Sequence, residues 1–176
     1  MIYYISDTHF SHENIIKICN RPYSSVEEMN NDLIYKWNNK VKPDDIVYFL
    51  GDFAHKSSLD EAFNIMKQLN GKKYYIRGNH DKDNFLIRCK SAKLIESIDD
   101  YKVINDNNRM VVLFHYPIED WDGQYHGSYH LFGHIHNNTH NFYRAFPKRF
   151  NVSVEVVGYE PRTLDELIEL NTVGAE

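Results

Sequence analysis

The segment Ile2-Tyr-Tyr-Ile-Ser-Asp-Thr-His9 joins a short apolar run to an aspartate and a histidine. An apolar run of this length, stopped by polar residues, predicts a buried strand. The same order recurs along the chain, with apolar runs followed by Gly51-Asp52, Gly78-Asn79-His80-Asp81, His115 and Gly133-His134-Ile135-His136. In open α/β sheets, side chains that follow the carboxyl ends of strands meet in one crevice. We therefore expect five separated segments to build one site.

The remaining pattern alternates helices with strands early and brings strands closer together later. Three capping boxes predict helix starts, at Ser25-Val-Glu-Glu28, Ser58-Leu-Asp-Glu61 and Thr163-Leu-Asp-Glu166, and a shorter helix is expected over residues 13–19. Strands are predicted over residues 2–5, 46–50, 73–76, 94–98, 101–104, 110–114, 129–132 and 150–157. The spacing favours an α/β core with an antiparallel portion.

Composition limits the class of protein. The chain has 176 residues, of which 42% are hydrophobic and 26% charged, so we expect one ordered domain over residues 1–176. The net charge of −5 excludes a surface devoted wholly to nucleic acid, although a local basic patch remains possible. Cys19 and Cys89 are too few for a disulfide scaffold, and we expect both to be inert. No leader-like or membrane-spanning stretch is visible, which predicts a cytoplasmic protein without a membrane partner.

The residues at the five strand ends have the chemistry of metal ligands. Asp7 and His9, like His134 and His136, are two residues apart, which in extended backbone places both side chains on one side. Glycine precedes three of the segments and lets the backbone approach an ion closely. Aspartate, asparagine and histidine without cysteine suit Mn, Fe or Zn in a partly open site. Seven candidate ligands exceed the needs of one ion, so we infer a two-metal site of the kind that hydrolyses phosphate esters.

The ordered motifs D-x-H, GD, GNHD, a single H and GHxH, spread from Asp7 to His136, resemble the calcineurin-like metallophosphoesterase superfamily. More narrowly, Ser6-Asp-Thr-His-Phe-Ser-His12, Arg21-Pro-Tyr23 and Trp37-Asn38 are similar to compact bacterial and phage members without a cap domain. The resemblance implies a four-layer α/β/β/α sandwich of two mixed sheets flanked by helices, with the motifs on loops at one end.

The resemblance also implies a role for each motif residue. Asp7, His9 and His136 would hold the first metal ion, and Asp52 would bridge both ions. Asn79, His115 and His134 would complete the second, and His80 would be the catalytic acid. The implied cofactors are two divalent ions (Mn, Fe, Zn or Ni, with Mn expected to be active in vitro), which activate a hydroxide for attack on phosphorus.

One motif departs from the family pattern. Many relatives continue the second motif as GDxxDR, whereas this chain has Gly51-Asp-Phe-Ala-His55-Lys56. His55 could orient His80, and Lys56 could meet phosphate as a point charge but not as a bidentate fork. Further candidates for phosphate contacts or supporting roles are His12, Arg21 and Arg77, against the alternatives of a solvated helix start and surface salt bridges.

Several other residues near the motifs are interpreted as structural. This group comprises Asp81, expected in a turn, and His126, His130 and His140, which flank GHxH. Asn151 could brace a ligating histidine. Tyr116, Trp121 and Tyr125 could form an aromatic wall, although core packing is the simpler interpretation.

The sequence thus predicts a phosphodiesterase for nucleotide-like or small organic phosphodiesters. The alternatives are a phosphomonoesterase, including a protein phosphatase, and a non-catalytic metal-binding scaffold of the same fold. A nuclease would use the local basic pairs Lys72, Lys73, Lys148 and Arg149, and the negative net charge disfavours it. The physiological substrate, the preference for mono- or diesters, the native metals and the oligomeric state are left open.

Overall fold

Two four-stranded sheets form the centre of the computed structural model, which describes residues 1–138 and 147–172. The first sheet holds β1 (Ile2–Ile5), β2 (Ile46–Phe49), β3 (Lys72–Ile76) and β4 (Ser97–Asp99), in that order. The second holds β5 (Tyr101–Asp106), β6 (Arg109–Phe114), β7 (Tyr129–Phe132) and β8 (Arg149–Asn151). The described helices are α1 (Glu13–Ile18), α2 (Val26–Lys40), α3 (Leu59–Gln68), α4 (Asp83–Ser91), α5 (Val154–Val157) and α6 (Leu164–Thr172).

The helix starts predicted from the capping boxes are confirmed. The hydroxyl of Ser25 accepts the backbone N–H of Glu28, and the hydroxyl of Ser58 accepts that of Glu61, each at 3.1 Å. At α6 the exchange is reciprocal, because Glu166 also accepts the backbone N–H of Thr163 at 2.7 Å. Each cap satisfies a helix N–H group that has no partner within the helix.

The strands of the first sheet are parallel, whereas the second sheet combines one antiparallel hairpin, β5 with β6, with parallel pairs. The predicted pair of sheets flanked by helices is therefore confirmed. Among the named strands, the second sheet is mixed and the first is parallel throughout. An isolated antiparallel bridge from Tyr4 to Arg162 adjoins the first sheet. Ser6 and Ser153 form a parallel bridge beyond β1 and β8. This bridge brings the carboxyl ends of the parallel strands of both sheets to one end of the molecule.

Aromatic side chains fill the layers on both faces of the first sheet. On the face towards the second sheet, the ring of Tyr48 lies 5.9 Å from Tyr4 and 5.2 Å from Tyr74, and the hydroxyl of Tyr4 donates to the buried Asp106 on β5. On the helical face, Phe49 contacts Trp37 of α2 and stacks on Tyr75 at 5.2 Å. The alternation along each strand directs neighbouring side chains to opposite layers.

Two predicted strands differ from the structure. Residues 94–98 are reduced to β4, Ser97–Asp99, and the predicted strand over 150–157 divides into β8 and α5. Valine has a high intrinsic preference for strands, but tertiary contacts override that preference in Val154–Val157. The backbone N–H of Ser6 donates to the carbonyl of Val152, and the N–H of Val154 donates to the carbonyl of Ser6. Beyond this bridge the chain leaves the sheet and continues as α5.

The outer face of the second sheet carries a buried histidine, His130. Its Nδ1 lies 3.2 Å from the carbonyl of Val112, its Nε2 accepts the N–H of Ile118 at 3.3 Å, and its ring contacts Trp121. Burial lowers the pKa of His130 to about 4, so the folded protein holds a neutral imidazole. His130 and Trp121 therefore serve core packing, as the structural interpretation predicted.

Acid should destabilise the fold through His130. The pKa of His130 is lower in the folded protein than in the unfolded chain. Its contribution to the free energy of unfolding is therefore complete above pH 6.5 and is lost as the pH falls towards 4. The expected loss is about 3 kcal/mol, from 1.36 kcal/mol per pH unit of difference. Urea unfolding in EDTA should show a weaker pH dependence for His130→Gln than for the wild type. His126→Gln, at an exposed position, should titrate like the wild type; equal behaviour of the two variants would contradict the prediction.

Both cysteines are buried and unpaired with each other, and burial raises the pKa of the Cys89 thiol to about 12. A thiol with that pKa is not nucleophilic near neutral pH. Among the described residues, no helix is both long enough and apolar enough to cross a membrane.

Candidate metal centre

The seven predicted ligands converge at the common end of the two sheets. Asp7 follows β1, Asp52 follows β2, Asn79 follows β3, His115 follows β6 and His134 follows β7. Backbone hydrogen bonds join these loops, from Asp7 N–H to the carbonyl of Gly51 and from Gly133 N–H to the carbonyl of His115, both at 2.9 Å. The convergence expected from the strand-end pattern is present.

Asp7, His9 and His136 form the first half of the centre. One ligand atom from each lies within 4.8 Å of the others, and the rings of His9 and His136 are 5.0 Å apart. Asp7 Oδ2 accepts from Ser6 Oγ at 2.5 Å, Ser153 Oγ at 2.9 Å and the N–H of His134 at 3.0 Å. These three donors fix the carboxylate. Oδ1 also accepts the N–H of His134, at 3.1 Å, and lies on the side of His136, whose Nε2 is 3.9 Å away.

Asn79, His115 and His134 form the second half. Nδ1 of His115 donates to the carbonyl of Leu50 at 2.7 Å, so its Nε2 points inward, 2.9 Å from Asn79 Oδ1. Nδ1 of His134 lies 2.9 Å from the same oxygen. A backbone carbonyl that fixes the outer nitrogen of a histidine is a common support for a metal ligand.

Asp52 lies between the two halves. Its Oδ2 is 3.5 Å from Nε2 of His9 in the first half and 3.7 Å from Nε2 of His115 in the second. Burial alone would raise the pKa of Asp52, but hydrogen bonding to His9, the charge of His115 and the backbone N–H of His80 outweigh it and lower the pKa to about 2. An ionised carboxylate in this position can bridge two cations.

The donor atoms fit divalent metal ions. Both ring nitrogens of His9 are buried. Among the described residues Nδ1 has no hydrogen-bond partner, and Nε2 has the long contact of 3.5 Å with Asp52 Oδ2, and such groups are costly to leave unsatisfied. Nε2 of His115 and Oδ1 of Asn79 are two acceptors that face each other at 2.9 Å. A shared cation, either a proton or a metal ion, stabilises such a pair. Aspartate, asparagine and histidine without a thiolate suit a catalytic site rather than a closed structural zinc site.

Left-handed backbone occurs at five of the candidate ligands, as it does at several other described positions. Asp7, His9, Asp52, His134 and His136 all have φ between 47° and 70°. The prediction that each i, i+2 pair lies in extended backbone is therefore wrong. His134 and His136 also separate, one to each half of the centre. Residues with a Cβ adopt this region at a cost of about 1–3 kcal/mol when it is strained, and they do so mainly at functional sites.

Glycine is required where the loops touch. A Cβ on Gly133 would collide with Asp7 Oδ2 and Ser6 Oγ, and one on Gly78 would collide with Asp52 Oδ1. Neither glycine has a positive φ, so space rather than backbone freedom excludes larger residues there. These glycines permit close approach between loops, while the predicted approach to an ion stays a prediction.

Replacing Gly133 by alanine should therefore disturb the first half of the centre. We expect Gly133→Ala to cost about 1–3 kcal/mol of stability through overpacking and to weaken Mn²⁺ binding by displacing Asp7. Urea unfolding and Mn²⁺ titration of metal-stripped protein measure the two effects. Gly123→Ala, at φ +71° away from the ligands, should lose stability but keep its metal affinity. Wild-type Mn²⁺ affinity in Gly133→Ala would contradict the prediction.

His80 stands at the rim with its side chain 41% exposed, and its Nε2 is 4.0 Å from Asp52 Oδ2. His55 is its nearest aromatic neighbour, with ring centroids 4.3 Å apart, and His12 is 4.6 Å from His55. His55 thus adjoins His80 as predicted, through ring contact and without a described hydrogen bond between them. Lys56 is exposed beside them.

The structure separates the two predicted arginines from any phosphate role. Arg21 is buried, and its Nε, Nη1 and Nη2 atoms all donate to protein acceptors. Arg77 pairs with Asp83 and, at 3.2 Å, with Asp100 on the surface. Asp81 accepts from the backbone N–H groups of Asp52, Phe53 and Gly78 and from the hydroxyl of Tyr75. That pattern supports the predicted structural turn.

Glu155 is the residue that sequence reasoning missed. It lies in α5, within the stretch predicted as a strand, and accepts from His136 Nδ1 at 3.0 Å and from Arg21. Burial would raise its pKa, but hydrogen bonding with His136 and the charge of Arg21 lower it. Burial would lower the pKa of His136, and hydrogen bonds with Cys19 and Glu155 together with the charge of Asp7 raise it. The only available signal was an acidic residue after the last strand.

Asn151 braces His136, one of the candidate ligands, as predicted. Its Nδ2 donates to the carbonyl of His136 at 2.7 Å. Tyr116 lies against His134 with ring centroids 4.5 Å apart, whereas Tyr125 is 88% exposed. The predicted aromatic wall is thus reduced to Tyr116. His126 is exposed in a short 3₁₀ helix, Gln124–His126, and His140 lies outside the described residues.

Comparisons with known proteins agree with this geometry. The family model for calcineurin-like phosphoesterase matches residues 1–155. An uncharacterized protein of Methanocaldococcus jannaschii, MJ1445, is 43% identical over 172 residues, covering 96% of this chain and 90% of that protein. The crystal structure of AQ665 from Aquifex aeolicus, a protein of unknown function, has 30% identity and a TM-score of 0.75, over 97% of this chain and 98% of that chain. The gene 66 protein of Mycobacterium phage L5 is 33% identical over 81 residues, 45% of this chain and 39% of that protein.

Proposed function

Because the chain belongs to the calcineurin-like phosphoesterase family, we propose that it is a dinuclear-metal-dependent phosphodiesterase that hydrolyses nucleotide-like or small organic phosphodiesters. The observation that carries the proposal is the position of Asp52 Oδ2, within 3.7 Å of a ligand nitrogen from each half of the centre. When bound, two divalent ions supply Lewis acidity and lower the pKa of water at the site.

The protein groups divide the remaining tasks. Asp7, His9 and His136 would hold the first ion, Asn79, His115 and His134 would hold the second, and Asp52 would serve both. His80, at the exposed rim, donates a proton to the departing oxygen. His55 and His12 lie beside it, followed by the exposed Lys56, and we propose that these three residues meet the substrate phosphate. Tyr116 lies next to His134.

The charges around the centre favour a diester over a monoester. A phosphomonoester dianion carries an extra negative charge, which enzymes commonly match with an arginine fork. The two arginines predicted as phosphate contacts, both in the described part of the chain, are engaged elsewhere: Arg21 with protein acceptors and Arg77 with Asp83 and Asp100. Among the residues that the structure describes, Lys56 is an exposed cation beside His55, and it suits the single charge of a diester.

The basic pairs that a nuclease would need lie at the wrong end of the sheets. Lys72 and Lys73 begin β3, and Lys148 and Arg149 adjoin the start of β8, whereas the candidate ligands follow the strand ends. Lys73 is buried and donates to the carbonyls of Leu69 and Gly71, and burial lowers its pKa to about 8. Within the described part of the chain, these four residues lie at the starts of strands and the candidate ligands follow strand ends.

The donor set accepts Mn, Fe, Zn or Ni, and Mn²⁺ is the ion that we propose for activity in vitro. The test is to strip the protein of metal, restore one ion at a time and measure hydrolysis of bis-p-nitrophenyl phosphate beside p-nitrophenyl phosphate. We expect metal-dependent turnover with a higher kcat/KM for the diester. A higher value for the monoester would favour the phosphomonoesterase, and metal binding without turnover of either ester would favour a scaffold.

A further inference from the structure

A buried ion pair, Arg21 with Glu155, lies directly behind the first half of the metal centre. The side chains are 0% and 2% exposed, and Arg21 Nη2 is 2.6 Å from Glu155 Oε1. We propose that this pair positions His136 for the first metal ion, so that Glu155 and Arg21 are positioning residues of the reaction. The inference rests on the proposed dinuclear function.

Glu155 acts on His136 through the ring nitrogen that does not face the centre. A carboxylate accepts hydrogen bonds, so the contact of 3.0 Å places the proton of His136 on Nδ1. Nε2 is then the nitrogen on the side of Asp7 that a metal ion would take. Without this acceptor the imidazole can adopt the other tautomer or rotate, and both changes remove the donor from the ion.

Arg21 fixes both Glu155 and the loop that carries Asp7. Its Nε and Nη2 donate to the same Oε1 of Glu155, at 2.9 and 2.6 Å. Nη2 also donates to the carbonyl of Asp7 at 2.8 Å, and Nη1 donates to that of Thr8 at 2.7 Å. One guanidinium therefore ties together the Asp7 loop and, through Glu155, the ring of His136, two of the three ligands of the first half.

The burial of this pair argues for a role beyond stability. Removing two charges from water costs several kcal/mol each, and an apolar pair of similar size is often as stable. The contacts instead accomplish something apolar groups cannot, which is to hold a backbone turn and an imidazole tautomer at once. Cys19, His136 and Glu155 also lie close enough to hold an ion of their own. Arg21 already contacts the Oε1 that faces His136, which disfavours a cation there.

The test is equilibrium Mn²⁺ binding to metal-stripped wild type and Glu155→Gln. We expect two ions on the wild type, and in the variant an affinity loss of about 10–100-fold at one site with the other unchanged. The electron paramagnetic resonance spectrum at two equivalents should change from a coupled Mn²⁺ pair to a six-line mononuclear signal. Turnover should fall at limiting Mn²⁺ and recover when Mn²⁺ is in excess, which a folding defect would not do.

Glu166→Gln is the matched control, because Glu166 also accepts from cations, Lys40 and Arg162, but far from the ligands. It should bind both ions like the wild type. Arg21→Lys should reproduce the one-site loss, and the double variant should lose little more, because the pair acts as one unit. Glu155→Asp serves if Glu155→Gln does not fold, and its shorter carboxylate should also lose one site.

Wild-type affinity at both sites in Glu155→Gln would overturn the inference while leaving the dinuclear function intact. Equal weakening of both sites would also overturn it, as would a third ion that Glu155→Gln alone loses. A wild type that binds no pair of ions would overturn the proposed function, and this inference with it.

Discussion

Asp52→Asn should lower kcat on bis-p-nitrophenyl phosphate by more than about a hundredfold. Loss of a residue that only supports a metal ligand costs about 10–100-fold in metal affinity or activity, and Asp52 is proposed as a direct ligand of both ions. The bound Mn²⁺ should fall from two ions per chain to one or none. Metal analysis and steady-state kinetics at saturating Mn²⁺ measure the two effects.

The expected size follows from the position of Asp52. Its Oδ2 faces His9 and His115, while its Oδ1 accepts the N–H of His80 at 2.9 Å. Asparagine preserves the volume but replaces a negative oxygen by a neutral donor or acceptor. Two cations close together then lack the anion that screens their mutual repulsion. The substitution also weakens the anchor of the loop that carries the proposed acid.

Asp106→Asn is the matched control for this variant. Asp106 is another buried aspartate, but its partner is the hydroxyl of Tyr4 between the two sheets. We expect lower stability with unchanged turnover per folded molecule and two bound ions. If Asp52→Asn retained two ions and more than a tenth of wild-type turnover, the bridging role would be rejected.

His80→Ala should reduce kcat by about 10²–10⁴-fold on a diester with an alkoxide leaving group, the usual contribution of a positioned acid. The loss should be much smaller with p-nitrophenolate, which leaves without a proton. Metal content should stay at two ions, because the exposed ring of His80 lies outside the ligand set. Kinetics on the two leaving groups, combined with metal analysis, isolate proton donation from metal binding.

His126→Ala provides the corresponding control, since His126 is an exposed histidine outside the metal centre. It should behave as the wild type with both substrates. An equal loss for His80→Ala on alkoxide and p-nitrophenolate substrates would show that His80 contributes through substrate binding or charge, and the role as an acid would be abandoned.

Local chemistry explains why so much of the centre was predictable. A strand end followed by Asp7 or by Asp52 is visible in the residues themselves, and the glycines before the ligands mark loops that touch. The backbone conformation was not predictable, because the left-handed φ values of Asp7 and His136 are imposed by contacts between loops. The roles of the seven ligands and of His80, and one domain over residues 1–176, stay predictions that the experiments above can test.

The amino-acid sequence by itself determined which side chains can bind metal, their order along the chain, the helix caps and an α/β core with an antiparallel portion, because each depends on residue type and short-range spacing. The pair of sheets came from the resemblance to the family. Only the tertiary structure decided the left-handed backbone of the ligand loops, and that Arg21 supports the Asp7 loop instead of reaching phosphate. It also revealed Glu155, whose contact with Arg21 spans 134 residues. Packing sets such a distance, and no local pattern encodes it.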